Sequence, residues 1–205
     1  MKYLLIGLIL LASCTKEAPV EIKPTTPVDV ITPTTPAPST GEAAYKDTDC
    51  GREVPANFSS IVKESVKDKT LLMQSNTSPI YWAAFFKALA KAESCLKPND
   101  RYVEKGLGKD AVTGTQNTSE GLFQMSYQDS KYHGCKFDWS VDKKLATTSL
   151  DKTIFNLNNQ IDCAAIVLNK QLKTKPLYSR YYWAVLDPAD ARHKEFKKYL
   201  KSEGF

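Results

Sequence analysis

Glu93 is the residue whose type and setting could do proton chemistry in this 205-residue chain. It closes the stretch Ser78 to Ser94, SPIYWAAFFKALAKAES, in which Trp82, Phe86, Leu89 and Glu93 fall at spacings of four, three and four. On an α-helix that spacing puts all four on one face, with Phe85 and Ala90 beside them. A carboxylate thus continues a stripe that is otherwise buried. Partial desolvation there disfavours the charged form and raises the pKa, which is what a general acid working near neutral pH requires. The plainer alternative is a charge that ends the wet side of an amphipathic helix, and this stretch alone does not separate the two. Other chemistries find little support. With only two histidines, His133 and His193, and no Cys-x-x-Cys pair, a zinc site is not expected, and no cofactor is implied.

The elements that must position Glu93 read as mainly helical. Ser78 followed by Pro79 is a helix start, a hydroxyl to cap free amides and then a proline at the first helical position. Upstream, Phe58, Ile61, Val62 and Val66 recur at helical spacing and predict a short first helix. After Cys95, residues 96–118 form a polar insert holding Gly106, Gly108 and Gly114, expected to be a long loop with a short hairpin; loops of that length commonly serve a site. Residues 119–126 are expected to turn into a short helix through Tyr132. Ile154, Leu157, Ile161, Ala164, Ala165, Leu168 and Leu172 predict a long amphipathic helix over about 153–173. Tyr181 to Leu186 reads as helix or strand. Asp187-Pro188 is expected to restart a helix that turns Phe196, Tyr199 and Leu200 inward, with His193 at a solvated position. No internal repeat or heptad is present.

The N-terminus carries a different signal. Lys2 precedes an apolar run, Tyr3 to Ala12, too short to span a bilayer and suited to the core of an export signal. It ends in Leu11-Ala12-Ser13-Cys14, which resembles the lipobox of bacterial lipoproteins and implies cleavage before Cys14 and lipidation of that residue. Thr15, rather than Asp, follows Cys14, which by the usual sorting pattern of such lipoproteins suggests the periplasmic face of the outer membrane. Residues 14–44 are rich in Pro and Thr and have little to bury, so they are expected to be an extended tether. A folded domain over 45–205 follows. The net charge is +5, and +6 without residues 1–44; no compact basic patch or motif supports nucleic acid, and a monomer is expected. Setting Cys14 aside, Cys50, Cys95, Cys135 and Cys163 suggest two disulfides in an oxidising compartment, with three possible connectivities.

Glu93-Ser94 together with Gly121-Leu122-Phe123-Gln124 resembles the soluble-lytic-transglycosylase and goose-type lysozyme superfamily. Its members show a helix ending in Glu-Ser, a Gly-Leu-aromatic/Met-Gln turn, and an Asn-rich lead-in to a buried helix, to which Asn156 to Asn159 is similar. The resemblance spans about residues 76–186 and implies a lysozyme-like helical domain that acts on peptidoglycan glycan strands. It implies Glu93 as the catalytic acid and base at the β-1,4 bond between N-acetylmuramic acid and N-acetylglucosamine. Ser94, Gly121, Leu122 and Gln124 would then lie at the substrate, with Gly121 allowing close approach of a sugar. Two departures stand out. The family's Ala-Tyr-Asn is missing, leaving Tyr181 and Tyr182 as candidate sugar-stacking residues, and the insert before Gly121 is long. That insert brings in Asp100, Glu104 and Asp110, of which Asp110 is the chosen candidate for a second carboxylate that would favour hydrolysis over anhydro-sugar formation. The resemblance implies that the long helix packs behind the cleft, which favours Cys135–Cys163. Cys50–Cys95 is favoured because Cys95 lies two residues after Glu93, where a bond would clamp the N-terminal arm, and both pairings are the shorter-range ones in sequence. The competing class is a non-catalytic wall-binding or structural lipoprotein that keeps the fold.

Overall fold

The computed structural model describes Cys50, residues 52–74 and residues 78–205. The export signal, Cys14 and the Pro/Thr-rich stretch lie outside the described residues. The fold is mainly α, as the sequence indicates. In chain order it contains α1 (Phe58–Lys67), α2 (Thr70–Gln74), α3 (Pro79–Ser94), a hairpin of β1 (Arg101–Val103) and β2 (Thr118–Glu120), then α4 (Gln128–His133), α5 (Trp139–Asp142), α6 (Leu157–Gln171) and α7 (His193–Ser202).

Helix α3 is the axle. Ser78 caps it through its hydroxyl, which accepts a hydrogen bond from the Tyr81 amide at 3.2 Å, and Pro79 opens it. Trp82, Phe85, Phe86, Ala88, Leu89 and Ala90 are all buried, so the helix is enclosed on nearly every side rather than along one stripe. Helices α1 and α7 pack against it, and α1 also packs on α6. The aromatic rings interlock edge-to-face: Phe85 with Phe196 of α7 at 5.3 Å, and Phe86 with Phe123 at 5.8 Å.

The C-terminus of α3 is stopped sharply. Cys95 and Leu96 both adopt left-handed backbone, φ 54° and 59°, which non-glycine residues seldom do. Two constraints hold them there: Leu96 is buried, and Cys95 is joined to Cys50 by a disulfide. The second disulfide joins Cys135 to Cys163 in α6, so the favoured connectivity is the one the structure has.

Several elements differ from the sequence reading. The long helix begins later than residue 153: Thr153–Phe155 is a separate 3-10 turn, and the Asn156 side chain caps α6 by accepting from the Asn159 amide. The 119–126 stretch is the end of β2 and a tight turn, with helix only from Gln128. Asp187-Pro188 lies in turns, and α7 starts at His193. His193 is half-buried rather than solvated, with its Nδ1 2.8 Å from the Val185 carbonyl. The insert does form the expected hairpin, antiparallel with Arg101 opposite Glu120 and Val103 opposite Thr118.

Candidate active site

Glu93 sits in the last turn of α3, at the end where the helix dipole is negative. Its side chain is 9 % exposed, and Oε1 has no hydrogen-bond partner among the described residues. Burial pushes its pKa up to about 7; the Arg192 guanidinium opposes that rise, while Asp190 and Glu104 add to it. Arg192 Nη1 lies 3.9 Å from Glu93 Oε2, and Asp190 holds the same side chain by accepting from its Nε at 3.2 Å. A buried carboxyl near neutrality, with one oxygen unpartnered among the described residues, can both give and take a proton at pH 7.

Glu93 opens onto a cleft of about 800 Å³. Asp100, Tyr102, Glu104, Lys105 and Leu107 line it from the hairpin side, and Arg180 to Ala184 with Arg192 line it from the segment after α6. Asn117, Ser119, Gln124, Ser126 and Gln128 complete the lining. Tyr181 and Tyr182 are therefore at the cleft, as expected. Tyr181 is exposed there, whereas Tyr182 is anchored: its hydroxyl donates a hydrogen bond to Asp129 Oδ2. Burial raises the Asp129 carboxyl to about 6 even with the Tyr182 and Ser126 hydrogen bonds pulling it down. Trp183 is buried behind the tyrosines and donates through Nε1 to the Phe123 carbonyl at 2.9 Å.

The turn Gly121–Gln124 is tied to Glu93 through its neighbour. Ser94 is buried, and its Oγ lies 2.9 Å from the Leu122 carbonyl and 3.0 Å from the Ala90 carbonyl, its one proton shared between them. Ser94 thus fixes the last turn of α3, which carries Glu93, to the 121–124 turn and does not line the cleft. Leu122 is likewise buried, as part of the core rather than of a sugar-binding surface. Gln124 does line the cleft; its backbone is left-handed, φ 51°, and its Nε2 donates to the Gly121 carbonyl at 2.9 Å.

Gly121 permits a close approach, but of a side chain of this chain rather than of a sugar. A Cβ built there would lie 2.5 Å from Gln160 Nε2, and φ is +79°. Gln160, buried inside α6, staples the turn: its Oε1 accepts from the Phe123 amide at 3.2 Å, and its Nε2 donates to the carbonyls of Glu120 and Ile154. Sequence reading missed this residue. The available signal was a polar amide interrupting the apolar face between Leu157 and Ile161.

Asp110 is not the second carboxylate of this cleft. It is buried, with Oδ1 accepting from the amides of Val112 and Thr113 and Oδ2 from the amide of Gln128, so it pins the hairpin tip to the start of α4. The carboxylates of the insert that do reach the cleft are Asp100 and Glu104. Glu104 is the one whose charge acts on Glu93, and its Oε1 accepts from the Ser119 hydroxyl at 2.6 Å. Among the described residues, no cluster of three or more His, Cys, Asp or Glu side chains could hold a metal ion.

No family model matches the sequence, and no curated protein matches it. Solved structures do resemble the fold. The wild-type form 2 of Bd0314 DslA is 18 % identical, with a TM-score of 0.53 over 72 % of this chain and 89 % of that one. Two single glutamate-to-glutamine variants of the same protein align at 17 % identity with TM-scores of 0.53 and 0.52; the first covers 72 % of this chain and 89 % of that chain, the second 73 % and 88 %. At this identity the likeness concerns the fold.

Proposed function

We propose that the protein cleaves the β-1,4 bond between N-acetylmuramic acid and N-acetylglucosamine in peptidoglycan, with Glu93 as general acid and then general base. The observation that carries this reading is the state of Glu93: enclosed, with one oxygen unpartnered among the described residues, near neutrality in pKa, and at the wall of a cleft of about 800 Å³. In the first step the Glu93 proton goes to the glycosidic oxygen as the C1–O bond breaks and positive charge develops at C1. The resulting carboxylate then takes a proton from the attacking hydroxyl. If that hydroxyl belongs to water, the product has a reducing end; if it is the 6-hydroxyl of the same muramic acid, a 1,6-anhydro end forms.

Glu104 is the candidate for a second carboxylate, either to activate water or to steady the cation. The two glutamates replaced in the DslA variants stand eleven positions apart in that chain, and Glu93 and Glu104 stand eleven apart here. That spacing supports the pair as a functional unit. A lipid anchor at Cys14 and a Pro/Thr tether would keep such an enzyme at the inner face of the outer membrane, within reach of the wall.

Digestion of purified peptidoglycan with the soluble domain, followed by mass spectrometry of the fragments, tests the reading. Released muropeptides with reducing or anhydro ends are expected, and the end type assigns the second step. Intact glycan after prolonged digestion would contradict the proposal and favour a wall-binding protein.

A further inference from the structure

The charges around the cleft fall into two groups. The carboxylates of Glu93, Asp100 and Glu104 line it in partly or largely buried positions. Arg180 and Lys105 line the same cleft but are exposed, one on each wall. Arg192, beside them, is already engaged with Asp190 and Glu93. The side chains of Arg180 and Lys105 make no hydrogen bond or ion pair among the described residues; Arg180 receives only a bond from Lys175 Nζ on its backbone carbonyl, and acts on Asp190 from beyond ion-pair distance.

We propose that Arg180 and Lys105 select glycan strands by reading the carboxylates of the peptide stems, an inference that rests on the peptidoglycan reading above. The sugar backbone of such a strand is neutral and can lie against the carboxylate-lined part of the cleft. Its stems, carried on the lactyl group of muramic acid, are anionic. A stem carboxylate turned inward would meet Asp100 and Glu104 at close range, where like charges repel most strongly. Turned outward, it meets two cations whose side chains have no partner among the described residues. Arg180 suits this task because its planar guanidinium can hold a carboxylate through two parallel hydrogen bonds, while Lys105 supplies a mobile point charge from the opposite wall. Both are solvent-exposed, so each contact is modest in strength and weakens with salt.

The test compares native peptidoglycan with the same material after its carboxylates have been converted to amides, using wild type, Arg180→Gln, Lys105→Gln and the double variant. On native peptidoglycan each single substitution is expected to lower kcat/KM about two- to fivefold. On the amidated material the variants should match wild type, and raised ionic strength should shrink the difference on the native one. Equal losses on both materials, or none on either, would overturn the inference. Co-sedimentation of the same variants in a Glu93→Gln background reads binding alone and separates this inference from the catalytic one. If wild type cleaves neither material, the functional proposal fails. Charge-dependent sedimentation lost in Arg180→Gln would still support stem recognition, and sedimentation unchanged by it would still overturn it.

Discussion

Gly121→Ala should be among the most destabilising single substitutions in the domain, and its cost can be worked from the structure. The new methyl group would sit 2.5 Å from Nε2, 2.7 Å from Cδ and 3.0 Å from Oε1 of Gln160, and the backbone at φ +79° disfavours any side chain. The conformational penalty alone is roughly 1–2 kcal/mol. Gln160 is the far end of a side chain and could swing away, but it is 1 % exposed and its amide serves the Phe123 amide and the carbonyls of Glu120 and Ile154. Displacing it leaves buried polar groups unpaired, at about 1–3 kcal/mol for each one that finds no water. A total loss of about 3–5 kcal/mol follows. Urea denaturation followed by far-ultraviolet circular dichroism measures it. A loss below about 1 kcal/mol would refute the argument, since the strain term alone reaches that size. The clash also predicts coupling: Gly121→Ala combined with Gln160→Ala should cost at least about 1 kcal/mol less than the two changes summed, and strict additivity would show that they do not meet.

Arg192→Gln removes the cation that holds Glu93 down, so the Glu93 midpoint should rise above about 7. As the acid works protonated, the alkaline limb of the pH–rate profile should move up with it; a downward or absent shift contradicts the assignment. The same raised pKa has a stability signature. Glu93 binds its proton more tightly folded than unfolded, so its contribution is fully present below about 4.5 and is lost as pH rises through about 7. Breaking Cys135–Cys163 or Cys50–Cys95, which close segments of 28 and 45 residues, should cost about 3–4 kcal/mol each by the loop-entropy relation, read by denaturation of Cys→Ser pairs; losses under about 1 kcal/mol would contradict it. Cys14→Ser should release the full-length protein from membranes without changing the activity of the domain, and sedimentation with membranes in high salt would contradict lipid anchoring there.

What the sequence made legible was the helix that carries Glu93, because its cap, its proline and its apolar spacing all agree locally. The disulfide pairing was legible once the order of elements was known. The second carboxylate was not. Asp110 and Glu104 are both acidic residues of one polar insert, and only the fold shows which is consumed. Asp110 bonds the amides two and three residues ahead of it, a local turn pattern that Asp favours and that offered the only hint. The roles of Ser94 and Gly121 were displaced from substrate to scaffold for a similar reason: their partners, the Leu122 carbonyl and Gln160, are 28 and 39 residues away in sequence. Arg192 and Asp190 reach Glu93 from nearly a hundred positions downstream, and no local pattern marks them.

The most direct test of the central claim is the rate at which Glu93→Gln releases muropeptides from purified peptidoglycan, measured beside wild type by mass spectrometry. The amide keeps the shape of the side chain and cannot donate the proton. The variant should fold with an unchanged circular dichroism spectrum and lose activity by roughly 10²–10⁴-fold. A correctly folded Glu93→Gln protein that retains more than about a tenth of wild-type turnover would contradict the account, because even the lower end of that range is a larger loss.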